Sequence, residues 1–571
     1  MSTTVAELAT RAAAIRADLP STPGEWVDSP ATPLPSWLES FRPHQLTATG
    51  QILEAFTHAD VVFYNGPTGA GKSLVAELVR RAFPTRGLGD PRALYIATTK
   101  ALQDQLASAF PYAAVLKGRA NYVVGDDSVL DFGGRPFTDA PTAADCTGSS
   151  SRPCRWCGDF DACPYVQAKR VAQARPLTVL NTAYALTDAL GPRNFTGRRP
   201  LAIWDEADLL EGELLSHVGV SISARRAKEL GINHPSRKTV EASWVEWIDH
   251  ARDKVQRRLE ILPSKADAER ATIKEITRLE RLGSKLADVA IELPQGGWVY
   301  NYDSRDAGPI EFKPIRVTKW GELVPSMADK TLIMSATIIS ADQMAEDLGL
   351  DEAGVTWRSV ESPMTFPVER RPVYVTGVAP MTNKTMNESQ DVMVAACAEI
   401  CRRHPDDRIL IHAVSYRLSK HLTSGLRRAL RGRRVLTYHS SREKDDALAT
   451  YLATDAAVMV APSLDRGIDL AADACRVIVV AKIPYGNLGD KQVNARLRSK
   501  GGQSWYTVQT IRTLVQMTGR AMRSADDHAT TYILDAQFAR LWNANRKLLP
   551  GWWAEAVDWR QSPSVKELTD A

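Results

Sequence analysis

Long apolar runs are missing from this 571-residue chain. No stretch approaches the roughly 20 residues that a membrane-spanning helix needs, so no membrane span is expected. The first residues, MSTTVAELATRAAAIRADLPSTPGEW, mix Glu, Asp and Arg and lack the unbroken apolar stretch of a secretory signal. A cytoplasmic protein is expected, in a cell or in an infected one. An excess of one charge is missing too: 71 Lys and Arg stand against 67 Asp and Glu. Bulk charge therefore barely argues for a nucleic-acid partner, and any such contact must come from local patches. The densest patch is LRRALRGRRV at Leu426–Val435, which reads equally as a solvated helix end or as a phosphate contact. Internal repeats and low-complexity tracts are absent. Cysteine is scarce, at seven residues, and a reducing compartment argues against a disulfide framework for those that cluster.

What is present starts with ADVVFYNGPTGAGKSLVAELVRRAF. Val61–Tyr64 suits a buried parallel strand, and Gly66, Pro67, Thr68, Gly69, Ala70, Gly71, Lys72 and Ser73 fit the pattern G-x-x-x-x-G-K-[ST], with a helix pattern behind them. Such glycines let backbone N–H groups approach phosphate; Lys72 then reaches the β- and γ-phosphates of ATP, and the Ser73 hydroxyl coordinates Mg²⁺. A second apolar strand, Leu201–Trp204, ends in Asp205-Glu206-Ala207-Asp208. Strand-terminal carboxylates suit a metal ligand, Asp205, and a group that orients the attacking water, Glu206. Much later, LVQMTGRAMR carries Gln516, Gly519, Arg520 and Arg523 on or near one helix. An arginine fork suits a γ-phosphate, so Arg520 and Arg523 are expected as catalytic fingers. Upstream, VMVAPSLDRGIDL ends a strand at Ala461 and turns through Asp465, Arg466, Gly467 and Asp469. These stretches lie roughly 400 residues beyond the first loop, which predicts an ATP pocket shared by two lobes.

GPTGAGKS, DEAD, MSAT (Met334–Thr337), LIHAVSY (Leu410–Tyr416), PSLDRGID and QMTGRAMR stand in the order of the superfamily 2 helicase motifs. The chain resembles the XPD/DinG group of DNA helicases from Phe41 to about Asp535. The resemblance implies nucleotide contacts from Arg42 and Gln45 in FRPHQ, and from Gly467, Asp469 and Gln516. It implies a DNA-backbone contact from TTKALQDQL (Thr98–Leu106), and ESPMTFP (Glu361–Pro367) matches the group's marker between lobes. One departure stands out: Asp208 occupies the place where the group usually carries His. DEAD alone is the spelling of RNA-remodelling proteins, but those usually open the last motif with His-Arg, where this chain has QMTG.

The remaining signal is CTGSSSRPCRWCGDFDACPY, in which Cys146, Cys154, Cys157 and Cys163 are spaced x₇, x₂ and x₅. Four thiolates with a Cys-x₂-Cys pair suit tetrahedral zinc or an iron–sulfur cluster, and spacing alone leans to zinc. The resemblance implies [4Fe–4S], because the group carries such a cluster between its phosphate loop and its carboxylate motif, ending in Cys-Pro-Tyr. KGRANYVVG puts Val124 where the group's first ligand falls, so Cys146 takes that place. Trp156 and Phe160, between the ligands, suit either stacking on bases or capping the metal, and capping is the favoured reading. Cys397, Cys401 and Cys475 read as core.

The expected fold is α/β: two RecA-like parallel-sheet lobes with an inserted iron–sulfur loop and an inserted α-helical arch. The boundaries read as first lobe 1–118, 166–211 and 316–352, iron–sulfur insertion 119–165, arch 212–315, and second lobe with a Trp-rich tail 353–571. Ile273, Ile276, Leu279, Leu282, Leu286 and Val289 recur at helical spacing in the arch, as do Ile248, Val255, Leu259 and Leu262. The expected activity is ATP-driven helicase action on single-stranded and forked duplex DNA, 5′→3′ by resemblance. Two rivals stand beside it: an ATPase that translocates on or remodels RNA or DNA without processive unwinding, and a metal-bearing nucleic-acid-binding protein with a degenerate motor.

Overall fold

The structure, a computed structural model, describes residues 5–26, 33–124, 140–146, 154, 156–191, 198–265, 268–302, 308–462, 470, 472–519 and 527–569. Its frame is two seven-stranded parallel sheets. Strands buried on both faces need apolar residues at every position, which is why these segments are continuous apolar runs without alternation.

The first lobe builds β1 (Val61–Asn65), β2 (Ala93–Ala97), β3 (Ala114–Val115), β4 (Leu177–Asn181) and β5 (Arg199–Trp204). The chain then makes a small antiparallel sheet from β6 (Val220–Ile222), β7 (Trp298–Asn301) and β8 (Ile310–Pro314). It returns with β9 (Ala328–Ser335) and β10 (Trp357–Glu361), giving the order β10-β1-β9-β5-β2-β4-β3. Successive residues of β1 serve opposite layers: Val62 and Tyr64 pack into one apolar cluster, Val61 and Phe63 into another.

The second lobe contains β11 (Val373–Ala379), β12 (Ile409–His412), β13 (Val435–Leu436), β14 (Val458–Ala461), β15 (Val477–Val480), β16 (Thr530–Asp535) and β17 (Val557–Asp558), in the order β13-β14-β12-β15-β16-β11-β17. Cys397, Cys401 and Cys475 are buried in its core. Trp542 and Trp553 close that lobe against Phe538, on which Trp559 stacks at 5.7 Å.

Between β6 and β7 two long helices, Glu241–Glu260 and Arg270–Glu292, pack together. Ile273, Ile276, Leu279, Leu286 and Val289 form the buried stripe of the second helix, each one or two turns beyond the last. The antiparallel sheet beside them was not expected; its strands are three, four and five residues long, too short for a period of two to show. Among the described residues no helix is long and apolar enough to cross a membrane.

Candidate nucleotide site and cysteine cage

Register brings the first-lobe motifs together. β9, though late in sequence, lies between β1 and β5, with Asn65 opposite Ser335 and Trp204 opposite Ile333. Three adjacent parallel strands thus release the phosphate loop, Ser335 to Thr337, and Asp205 with Glu206 at one edge of the sheet, where open α/β folds place ligands. The Gly66 N–H donates to the Ser335 carbonyl at 3.1 Å.

The loop itself needs glycine at two points. Gly69 and Gly71 have φ of 79° and 75°, a region that side chains disfavour, and a Cβ on Gly71 would lie 2.4 Å from Gln45 Nε2. Lys72 opens the helix Lys72–Ala82, so loop amides and helix N-terminus converge on an anion's place. FRPHQ closes over the loop. Arg42 donates to the Gly69 carbonyl, and Gln45 Nε2 reaches the Ala70 carbonyl at 3.3 Å. His44, buried, contacts the same Ala70 oxygen at 2.9 Å through Nε2. Beside these residues Trp37, Leu38 and Leu74 line an open pocket of about 320 Å³, at the small end of ligand sites.

Asp205 is buried, and burial pushes its carboxyl above the usual carboxylate range while the Lys72 ammonium and the Tyr95 hydroxyl pull it back. Tyr95 OH lies 2.7 Å from Asp205 Oδ2 and 3.2 Å from Ser73 Oγ. One phenol therefore links the two residues suited to hold Mg²⁺. Sequence reasoning missed Tyr95; an apolar strand gives no sign that its one hydroxyl points at chemistry. Glu206 adopts φ 49°, a strained conformation for a non-glycine residue of the sort that gathers at functional sites.

The second lobe reaches this edge through the helix Gly502–Thr518. Gln516, in its last turn, donates from Nε2 to the Asp208 carboxylate and to Thr337 Oγ1, the latter at 2.8 Å. Ser335 Oγ donates to the other Asp208 oxygen at 2.7 Å. Asp208 is thus an acceptor between two donors, one from each lobe. A carboxylate fits that place because it accepts on both oxygens. The helix stops at Gly519, where an added Cβ would lie 3.7 Å from the Thr68 hydroxyl of the phosphate loop. Arg520 and Arg523, and Asp465, Arg466, Gly467 and Asp469, lie outside the described residues. In the basic patch, Arg427 and Arg433 give their N–H groups to backbone carbonyls of Val435, Ala456 and Asp407, which makes them structural.

The cysteines form a cage. The sulfurs of Cys146, Cys154 and Cys157 all lie within 4.8 Å of one another, and Cys146 Sγ is 3.9 Å from Cys157 Sγ. Cys163, buried beside them, caps the helix Pro164–Ala174. Val124 and Ala143 are buried in the same cluster, and Trp156 packs on it. Burial pushes the Cys157 thiol up to about 12, with the neighbouring Cys163 thiol adding to the rise, and Cys146 is raised as well. Burial acts on Cys154 in the same sense, but the backbone N–H groups of Cys157 and Trp156 hold that thiol below its ordinary value, so one sulfur of the cage is poised as a thiolate ligand. The donor set is sulfur alone, free of disulfides, and it fits zinc or an iron–sulfur cluster.

Comparison with known proteins agrees with this geometry. Residues 42–131 match the DEAD/DEAH box helicase family and residues 397–556 the helicase C-terminal domain family. The chain is 23% identical over 611 residues to the ATP-dependent DNA helicase YoaA of Haemophilus influenzae, covering 87% of this chain and 91% of that one. It is 26% identical over 280 residues to YoaA of Escherichia coli, a match spanning 47% of this chain and 41% of that protein. An XPD helicase structure superposes with a TM-score of 0.57 at 16% identity, over 89% of this chain and 98% of the other. The two matched domains and the fold are those of an XPD/DinG-like superfamily 2 helicase. The chain's DEAD spelling at Asp208 is therefore a variant within that frame, and the matched domains are those of ATP-hydrolysing helicases.

Proposed function

We propose that this helicase works on DNA, binding single strands across both lobes and moving 5′→3′ into forked duplex as ATP is hydrolysed. The observation that carries the reading is the seam at Asp208: a second-lobe glutamine and a first-lobe serine share one carboxylate beside the phosphate loop. Such a seam makes nucleotide state and lobe spacing one variable. In this mechanism Lys72 and the loop amides would neutralise the phosphates, Ser73 and Asp205, both in contact with the Tyr95 hydroxyl, would hold Mg²⁺, and Glu206 would orient the attacking water. Arg520 and Arg523, following Gly519 at Thr68, supply charge to the γ-phosphate, while Arg42 and Gln45 contact the nucleotide with Gly467, Asp469 and Gln516.

Strand displacement on forks with 5′ or 3′ tails tests the reading. Unwinding is expected only from a 5′ tail, and Lys72→Ala abolishes it together with hydrolysis. Unwinding by Lys72→Ala would overturn the site. A second reading, remodelling of RNA without processive unwinding, is favoured by the DEAD spelling. It predicts ATPase stimulation by RNA over DNA in the same assay.

For the cage, the position of the loop between the phosphate loop and the carboxylate strand supports [4Fe–4S] on Cys146, Cys154, Cys157 and Cys163. The cluster would rigidify a polar loop that has little core of its own. Zinc is the second reading. Two thiolates on one tetrahedral ion with bonds of about 2.3 Å stand about 3.8 Å apart, close to the 3.9 Å of Cys146 and Cys157. Anaerobic purification decides: brown protein with about four irons per chain supports the cluster, and colourless protein with one zinc overturns it.

A further inference from the structure

The seam between lobes extends well beyond Asp208. Along Gly502–Thr518, the residues Trp505, Gln509, Arg512 and Gln516 follow at intervals of four, three and four, which puts them on one face of the helix. Each touches the first lobe. Arg512 reaches the carbonyls of Asp208 and Thr337, both at 3.3 Å. Trp505 Nε1 donates to both oxygens of Glu211, at 3.0 and 2.8 Å, and Gln509 Nε2 donates to the same carboxylate at 2.9 Å. Glu211 and Trp505 are buried, at 9% and 6% exposure, and Arg496 lies over the Trp505 ring at 5.3 Å. Three N–H···O contacts on one buried carboxylate, all from the other lobe, form an anchor, because hydrogen bonds to a charged acceptor are the strong ones.

We infer that Glu211 is a positioning residue for ATP hydrolysis: it fixes the start of Gly502–Thr518 so that Gln516, three turns on, meets Asp208 and Thr337. Eleven residues of helix span about 16 Å, so a tilt or slip at Trp505 is carried to the nucleotide edge. Nothing in this role touches nucleotide directly, because Glu211 follows the carboxylate motif on the helix Leu210–Val218. The inference rests on the motor reading above and adds a group to it.

The test compares Glu211→Ala, Trp505→Phe and the double variant with wild type, in steady-state ATPase assays and in binding of a fluorescent ADP analogue. Trp505→Phe keeps the ring and removes only the indole donor, so it separates the contact from general packing. Each single variant is expected to lower kcat about tenfold, with ADP-analogue affinity within about twofold of wild type. The double variant is expected to be no slower than the slower single one. Wild-type kcat in both singles, losses that multiply in the double, or an affinity loss matching the rate loss would each overturn the inference while the motor reading stands. Wild-type protein that turns over no ATP overturns the motor reading, and the inference with it.

Discussion

Tyr95 shows how much one hydroxyl can set. It bridges Ser73 and Asp205, so its loss leaves the two side chains proposed to hold Mg²⁺ without a common partner. Removing such a supporting group typically costs about 10–100-fold in metal affinity. Tyr95→Phe is therefore expected to raise the Mg²⁺ concentration for half-maximal ATPase by at least about tenfold, read from a Mg²⁺ titration at saturating ATP. Glu206→Gln should retain nucleotide binding and stall turnover, and steady-state hydrolysis at the wild-type rate would remove Glu206 from its role. Asp347 offers a pH handle at the seam. Burial, helped by the Glu211 charge and opposed by Arg496, pushes its carboxyl up to about 7 from 3.8. Between those values the folded chain keeps a proton that the unfolded chain has released, so this residue makes folding less favourable as pH rises to about 7 and adds nothing beyond. Tm measured from pH 5 to 8 should fall less steeply in Asp347→Asn.

At the scale of elements, the helix behind the phosphate loop is fixed from within. Glu77, buried at 2% exposure, pairs with Arg80 at 2.6 Å and Arg81 at 2.7 Å. Tyr112 donates to it at 2.5 Å, and Arg81 continues to the Trp26 carbonyl at 2.7 Å. Glu77→Ala would strand two buried guanidinium groups, a loss of about 3–5 kcal/mol that urea unfolding would register. Legibility follows the same scale. The phosphate loop and the DEAD strand stood out in the sequence because each is an apolar strand followed by a fixed string of residues. The seam helix was legible only at QMTG. Its Gln509 and Arg512 face a protein surface, and polar residues at such spacing read as a solvated face until a partner is seen. The small antiparallel sheet stayed hidden for want of length, and Tyr95 because its neighbours are apolar.

At the scale of the whole molecule, the two excursions from the first lobe meet. Arg270, at the start of the long helix Arg270–Glu292, donates to the fully buried Asp145 at 2.9 Å and to the Ala140 carbonyl at 2.5 Å. Asp145 immediately precedes Cys146, so the helical insertion and the cysteine cage share a joint. Arg270→Ala should leave basal ATPase intact yet speed proteolytic cleavage within residues 119–165, as followed on gels under native conditions.

The sheet order has a consequence during synthesis. Among the described residues β1, the strand that presents the phosphate loop, pairs with β9 and β10 alone, Val61 lying opposite Thr331 and Trp357. At roughly 5–20 residues per second a ribosome takes tens of seconds to reach them. For that time the nascent chain carries an apolar strand with both edges open, and the strand that presents the phosphate loop must wait for residues encoded far downstream.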